Sequence, residues 1–193
     1  MNASPRPVDL AAEQRRVRRQ AAVAVPVCAI ILGAAVFSLP RQLELSDEMP
    51  ARLAFVLRAD LFVALWVLVA VRLVSRIRFI SAEDNVGSAY GPPSPRLAVR
   101  AAFLQNTLEQ AFIAVVGHLA LATVAGEAPM AYVAGAVVLF TVGRVTFLRG
   151  YPRGAGGRAF GMVTTALPSV GAYGWVIYDL GARLASNVGL TQE

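Results

Sequence analysis

The sequence predicts an all-α integral membrane protein, a bundle of membrane-spanning helices. Of its 193 residues 56% are hydrophobic, above the share of about 45–50% that is usual in soluble proteins. Several apolar stretches approach or exceed the roughly 18 residues that span a bilayer. They lack the alternation of barrel strands, so only helices can satisfy their backbone in lipid. The predicted spans cover residues 21–39, 53–75, 98–125, 130–148 and 160–182.

A polar and basic leader, residues 1–20, precedes the first span. An Arg-rich start followed by an apolar run also fits a signal peptide. The run is long for a signal peptide, and no small-x-small cleavage site precedes Arg41. We therefore expect an additional transmembrane helix at residues 21–39. The alternative is a signal peptide that is removed by cleavage. Cys28, the only cysteine, can form no internal disulfide and is expected to be a small buried side chain.

The connections between the later spans differ in length and composition. In the second span, Arg58 and Asp60 lie near one end, where we expect interface anchoring and a mutual ion pair. Prolines at residues 92–95 mark a linker before the third span. The turn at residues 126–129 is short, which predicts that the third and fourth spans pack as an antiparallel hairpin. The composition of residues 149–158 predicts a Gly-rich basic loop, and residues 183–193 are predicted to form a tail.

The basic residues alternate between the connections, and all 18 are arginine because the chain has no lysine. Loops that follow the positive-inside rule show this alternation. The sequence therefore predicts a cytoplasmic amino terminus, a carboxyl terminus across the inner (cell) membrane, and no role in nucleic-acid binding for the net charge of +6. The predicted inner connections carry these arginines: Arg6, Arg15, Arg16, Arg18, Arg19, Arg76, Arg78, Arg96, Arg149, Arg153 and Arg158.

Polar side chains interrupt the third and fourth spans. Asn106 and Glu109 share one helical face, and Gln105 lies one turn before Glu109. Arg144 and Tyr151 share a face of the fourth span, and an Arg144–Glu109 ion pair would offset the cost of burying both charges. Polar groups at hydrocarbon depth are candidates for a functional site. They also serve as glue between helices, and position alone does not separate the two roles.

Arg158 opens the fifth predicted span, where a helix amino terminus with free amides attracts anions. A guanidinium there could stabilise a thiolate or a carboxylate. His118, about 18 Å along the helix from Asn106, is expected to be a hydrogen-bonded core or interface residue. The sequence shows no metal-ligand cluster, and its Gly-rich loop lacks the Lys-Ser/Thr ending of a phosphate-binding P-loop.

The order Asn106-x-x-Glu109, Gly143-Arg144-x-x-Phe147-x-x-Gly150-Tyr151 and then Arg158 resembles one family. It is that of the membrane-associated proteins in eicosanoid and glutathione metabolism (MAPEG). The resemblance covers residues 53–182 and implies a divergent, bacterial-type member with a four-helix core. The helix at residues 21–39 would then be additional.

The resemblance implies a homotrimer that binds glutathione between its subunits. Asn106, Glu109 and Gln105 would bind the tripeptide, Arg144 would brace the site, Tyr151 would contact the ligand, and Arg158 would stabilise the thiolate. The partners would be a lipophilic small-molecule substrate and membrane lipid. The chain differs from the family pattern at Ala102, where an arginine is usual, and at Phe147, where some members carry tyrosine.

The expected reaction is attack of a thiolate on a lipophilic electrophile, or reduction of a lipid hydroperoxide. The alternative is a membrane scaffold or assembly protein without catalysis, in which the same polar residues hold helices together. A transporter or channel is less well supported, because its polar residues would have to line a path at mid-depth on several spans.

Overall fold

The computed structural model describes residues 9–40 and 47–190, and within these ranges the chain forms helices and no strand. A 3₁₀ turn, Tyr151–Arg153, separates the last two long helices. The helices are α1 (Leu10–Ser38), α2 (Met49–Ile80), the short α3 (Ala82–Asn85), α4 (Pro95–Leu121), α5 (Ala128–Gly150) and α6 (Gly154–Leu190).

Three helical stretches are long and apolar enough to cross a membrane: α1, α2 and Ala128–Asn187, which contains α5 and most of α6. The third of these stretches reverses direction at the 3₁₀ turn. The predicted third span corresponds to α4, which is absent from these three and carries the polar face of Gln105, Asn106 and Glu109. The all-α membrane bundle is therefore confirmed.

Four long helices form a ring in which α2 contacts α4, α4 contacts α6, α6 contacts α5, and α5 contacts α2. Helix α1 packs outside this ring, against α6 and α5. The predicted hairpin of the third and fourth spans is wrong in its packing, since α4 and α5 touch only sparsely and lie across the ring. The tight antiparallel pair is α5 with α6.

Glycines explain the close approach of α5 and α6. A Cβ atom at Gly150 would overlap the carbonyl oxygen of Gly157, and one at Gly161 would overlap the backbone of Phe147. Further along the pair, the hydroxyl of Tyr132 donates to the carbonyl of Pro168 at 2.8 Å. The basic loop predicted at residues 149–158 is therefore mostly helical, because its small residues let α6 begin directly against α5.

Helix α1 has a capped amino terminus and packs against α5 and α6 through small residues. The side chain of Asp9 caps it by accepting from the amide of Ala12 at 3.0 Å. Its buried residues are small: Ala24, Cys28 and Ala35. The buried position expected for Cys28 is confirmed. Residues 10–20 of the predicted leader belong to this helix, and residues 1–8 lie outside the described residues.

Two aspartates outside the spans tie loops together. Asp47 accepts from the amide of Gly126 at 2.8 Å and from Arg52 Nη1 at 2.5 Å, and these bonds lower the pKa of its carboxyl. Asp84 accepts from the amide of Ser94 at 2.9 Å and from its hydroxyl at 2.7 Å. Those bonds likewise lower the pKa of Asp84, and they hold the end of the proline-containing linker against the short α3.

Candidate functional site

A cleft of about 520 Å³ opens where the middle of α4 faces the junction of α5 and α6. Val17 of α1 forms part of one wall. Its volume is within the range of roughly 300–1,000 Å³ that is usual for small-molecule sites. The cleft brings together most of the side chains singled out from the sequence: Gln105, Asn106, Glu109, Tyr151 and Arg158.

Arg144 lies behind the cleft and is fully buried. Its Nη1 donates to Asn106 Oδ1 at 2.8 Å, and its Nη2 donates to Thr165 Oγ1 at 2.6 Å. Its guanidinium carbon lies 5.4 Å and 4.9 Å from the ring centroids of Phe140 and Phe147, so cation–π contact replaces part of the lost hydration. Within residues 9–40 and 47–190, Arg144 has no carboxylate partner.

The predicted Arg144–Glu109 ion pair is therefore wrong. Residues three apart on a helix differ by about 60° in direction. Asn106 therefore reaches Arg144, while Glu109 lies at the exposed edge of the same face. Glu109 instead accepts from Gln105 Nε2 at 2.8 Å, and both side chains are exposed. The predicted support of Glu109 by Gln105 is present.

Arg144 also fixes the direction of the Asn106 amide. Arginine carries only donors, so the oxygen of Asn106 must face Arg144 and its Nδ2 must face the other way. That nitrogen lies 3.7 Å from Met162 Sδ, a weak acceptor on the wall of the cleft. Asn106 therefore offers hydrogen-bond donors, rather than an acceptor, to anything that enters.

Arg158 lies over the ring of Tyr151, with 4.6 Å between its guanidinium carbon and the ring centroid. It is half-buried. In the part of the chain that the structure describes, it makes no hydrogen bond and no ion pair. The ring orients the guanidinium while leaving its N–H donors open to the cleft.

The expectation that Arg158 opens its helix needs correction, because α6 begins four residues earlier at Gly154. Its amino-terminal amides are those of residues 154–157. One of them, the amide of Gly156, already donates to Glu13 Oε2 of α1 at 2.8 Å. The attraction of Arg158 for an anion therefore rests on its own charge, since a carboxylate of the chain already occupies the helix terminus.

Sequence reasoning missed three residues of this region: Phe140, Met162 and Thr165. The signal was present in the spacing. Arg158, Met162 and Thr165 recur at i, i+4 and i+7, and Phe140 lies one turn before Arg144, so each set shares a helical face.

A second buried polar cluster lies away from the cleft. His118 Nδ1 and Asp60 Oδ1 are 2.7 Å apart, and the two residues are 1% and 6% exposed. This confirms His118 as a hydrogen-bonded core residue. The predicted pairing of Asp60 with Arg58 is wrong, because Arg58 faces outward while Asp60 faces α4. Among the described residues, no group of three or more His, Cys, Asp or Glu side chains could hold a metal ion.

Together, the ring of helices and the polar cleft define a helical membrane protein with a candidate site of small-molecule size. The family model described as "MAPEG family" matches residues 52–178, about two thirds of the chain. The chain belongs to the MAPEG family, which confirms the resemblance carried by Asn106, Arg144, Tyr151 and Arg158. Neither the curated proteins nor the solved structures contain a significant match to the sequence.

Proposed function

We propose that this protein binds glutathione or a related thiol in the cleft and directs its thiolate at a lipophilic electrophile or a lipid hydroperoxide. The observation that carries the proposal is the open guanidinium of Arg158, held over Tyr151 in a cleft that also contains Asn106 and Glu109. In a conjugation, a C–S bond forms and the leaving group departs with its electron pair. In a reduction, two thiols become a disulfide, and the hydroperoxide becomes an alcohol and water.

The charges of the cleft complement a zwitterionic tripeptide. Glutathione has carboxylates, an ammonium group, peptide carbonyls and a thiol. The exposed Glu109 carboxylate, held by Gln105, suits the ammonium group, and the donor side of Asn106 suits a peptide carbonyl or carboxylate. Arg158 suits the sulfur, because it is the cation of the cleft without a partner among the described residues.

One arginine is strong enough to activate the thiol. A cysteine thiol has a pKa of about 8.5, and lowering it by two units takes roughly 2.7 kcal/mol. A unit charge at about 4 Å, under an effective dielectric constant near 20, supplies about 4 kcal/mol. The thiolate is the reactive form, so Arg158 raises the share of reactive ligand at neutral pH.

The assembly and orientation are part of the same proposal. Gln105 and Glu109 are exposed in the single chain, which fits a homotrimer in which a neighbouring subunit covers the cleft. The cleft adjoins arginines of the α5–α6 junction. Under the positive-inside rule this supports a cytoplasmic location for the cleft and the amino terminus, at the cell membrane. The second substrate would reach the cleft from the surrounding lipid.

The helix-glue alternative has its own support, because Arg144 joins Asn106 of α4 to Thr165 of α6. Such bonds tie membrane helices together without any catalysis. They do not account for Arg158 or for the Gln105–Glu109 pair, which bond to no other helix of the described chain. The scaffold alternative therefore explains the buried Arg144 cluster, but it gives no role to Arg158 or to the Gln105–Glu109 pair.

Ultraviolet absorbance of bound thiolate tests the proposal in detergent-solubilised protein near neutral pH. Wild-type protein saturated with glutathione should show the thiolate band, and Arg158→Gln should lose most of it because the stabilising charge is gone. Arg158→Lys should recover part of the band, since lysine keeps the charge but not the planar fork.

Arg76→Gln is the matched control, because Arg76 is an exposed arginine that does not line the cleft. It should leave the band unchanged. An equal band in Arg158→Gln and wild type would remove Arg158 from the chemistry. Absence of glutathione binding to the wild type by calorimetry would favour the scaffold.

A further inference from the structure

A second cavity, of about 650 Å³, lies where the start of α1 crosses the junction of α5 and α6. Its most prominent feature is a convergence of arginines from separate elements. Arg16 and Arg19 come from α1, Arg149 from the end of α5, and Arg153 from the 3₁₀ turn. None of these four lines the cleft of the proposed thiol site.

The charges of this four-arginine pocket are largely unpaired among the residues that the structure describes. Within residues 9–40 and 47–190, Arg19, Arg149 and Arg153 make no ion pair and no hydrogen bond through their side chains. Arg16 pairs only with Glu13, at 3.5 Å and with its side chain 63% exposed, and exposed pairs of this kind contribute little. Glu13 is also engaged by the amide of Gly156.

The surrounding backbone holds these arginines in one place. A Cβ atom at Gly156 would lie 2.5 Å from Arg16 Cβ, so α1 and α6 meet here as closely as glycine allows. The bond between Glu13 and Gly156 fixes the same crossing. Like charges held together by rigid elements repel one another, and a bound anion relieves that repulsion.

The position of the pocket limits which kind of anion could bind there. Arg16 and Arg19 directly precede the apolar part of α1, and Arg149 and Arg153 directly follow that of α5. All four therefore lie at the boundary between hydrocarbon and water, where phosphate groups of lipids are abundant. Guanidinium groups pair with phosphate oxygens through two parallel hydrogen bonds, and basic pockets between membrane helices bind anionic headgroups.

We propose that the four-arginine pocket is a binding site for a phosphate group at the membrane surface, separate from the thiol cleft. The phosphate comes either from the headgroup of an anionic phospholipid or from a soluble phosphate. Two of the four arginines belong to α1, so this site depends on the helix that the sequence adds to the four-helix core. It does not rest on the glutathione proposal.

Binding is tested with the full chain in neutral detergent at physiological ionic strength, where the Debye length is about 8 Å and diffuse attraction is weak. The probes are phosphatidylglycerol, with phosphatidylcholine as the reference lipid, and inorganic phosphate. The variants are the doubles Arg16→Gln/Arg19→Gln and Arg149→Gln/Arg153→Gln. The matched control is Arg15→Gln/Arg18→Gln, which removes the same charge from residues of α1 that do not line the pocket.

Wild-type protein should bind phosphatidylglycerol or inorganic phosphate, and bind it more tightly than phosphatidylcholine. Each pocket double should weaken binding on the order of 20-fold, while the control stays within about threefold. Preference for the lipid over inorganic phosphate identifies a headgroup site, and efficient competition by inorganic phosphate identifies a soluble ligand.

Two results would overturn the proposal. One is no preference for the anionic probes, phosphatidylglycerol and inorganic phosphate, over zwitterionic phosphatidylcholine, and the other is an equal loss of affinity in the control double. Circular dichroism and size exclusion check each variant for folding. The two pocket doubles alter different elements, so if one fails to fold the other still decides.

Discussion

The two buried polar clusters of this bundle differ in what surrounds them. Asp60 and His118 face each other between α2 and α4, and neither lines the candidate cleft. Arg144, Asn106 and Thr165 link three helices, and Asn106 also lines the cleft. The Asp60–His118 cluster is enclosed by packed helices, whereas the Arg144 cluster adjoins the candidate cleft through Asn106. Burial of a charge in a membrane helix therefore does not identify a binding site unless an open polar surface adjoins it.

Arg144→Met should cause the largest change in stability. It leaves Asn106 Oδ1 and Thr165 Oγ1 without their donor, at about 1–3 kcal/mol for each buried group. Relief of the buried charge offsets part of that cost, so we expect a loss of about 2–4 kcal/mol in the free energy of unfolding. Denaturant unfolding in micelles measures it, with Arg72→Met, at an exposed arginine, as control. An unchanged or increased stability would contradict the bracing role.

Asp60→Asn should have an intermediate effect that is confined to folding. The amide keeps an acceptor for His118 but loses the charge, which should lower the free energy of unfolding by about 1 kcal/mol. Glutathione affinity should stay unchanged because the cluster is closed. Asp179→Asn, at a surface ion pair of α6, should change stability by less than about 0.5 kcal/mol. A marked loss of glutathione binding in Asp60→Asn would remove the distinction between the two clusters.

Glu109→Gln should have the smallest effect on stability, within about 0.5 kcal/mol, because its side chain is exposed. Its effect should appear in ligand binding. Loss of the carboxylate should weaken glutathione about tenfold, since a hydrogen bond to a charged group contributes about 1.5–3 kcal/mol. Titration calorimetry measures the affinity. Unfolding of this variant, with no glutathione binding to the wild type, would instead support a scaffold.

The sequence predicted the helices well because each apolar run approaches or exceeds the length of a span, and length and hydropathy are local properties. It did not predict correctly which helices pack against each other. Glycines at positions 150, 157 and 161 let α6 begin early and pair with α5, and a pattern of single residues does not show which helix they will face.

The site shows the same division between local and long-range information. Residues that share a helix face, such as Gln105 and Glu109, were paired correctly, because a helix fixes their spacing. The partner of Arg144 lay on other helices, and choosing between Asn106 and Glu109 required the rotation of α4. Asp60 was assigned to Arg58 for the same reason, since its actual partner is 58 residues away along the chain.

The contact between α1 and α6 has a practical consequence for work on this protein. Val17 forms part of a wall of the cleft, and Glu13 accepts from the Gly156 amide in the first turn of α6. Deletions that remove Glu13 or Val17 therefore alter one side of the cleft even when they leave the four-helix ring intact. A version of the protein shortened past Glu13 and Val17 should be compared with the full chain before its affinities are taken as native.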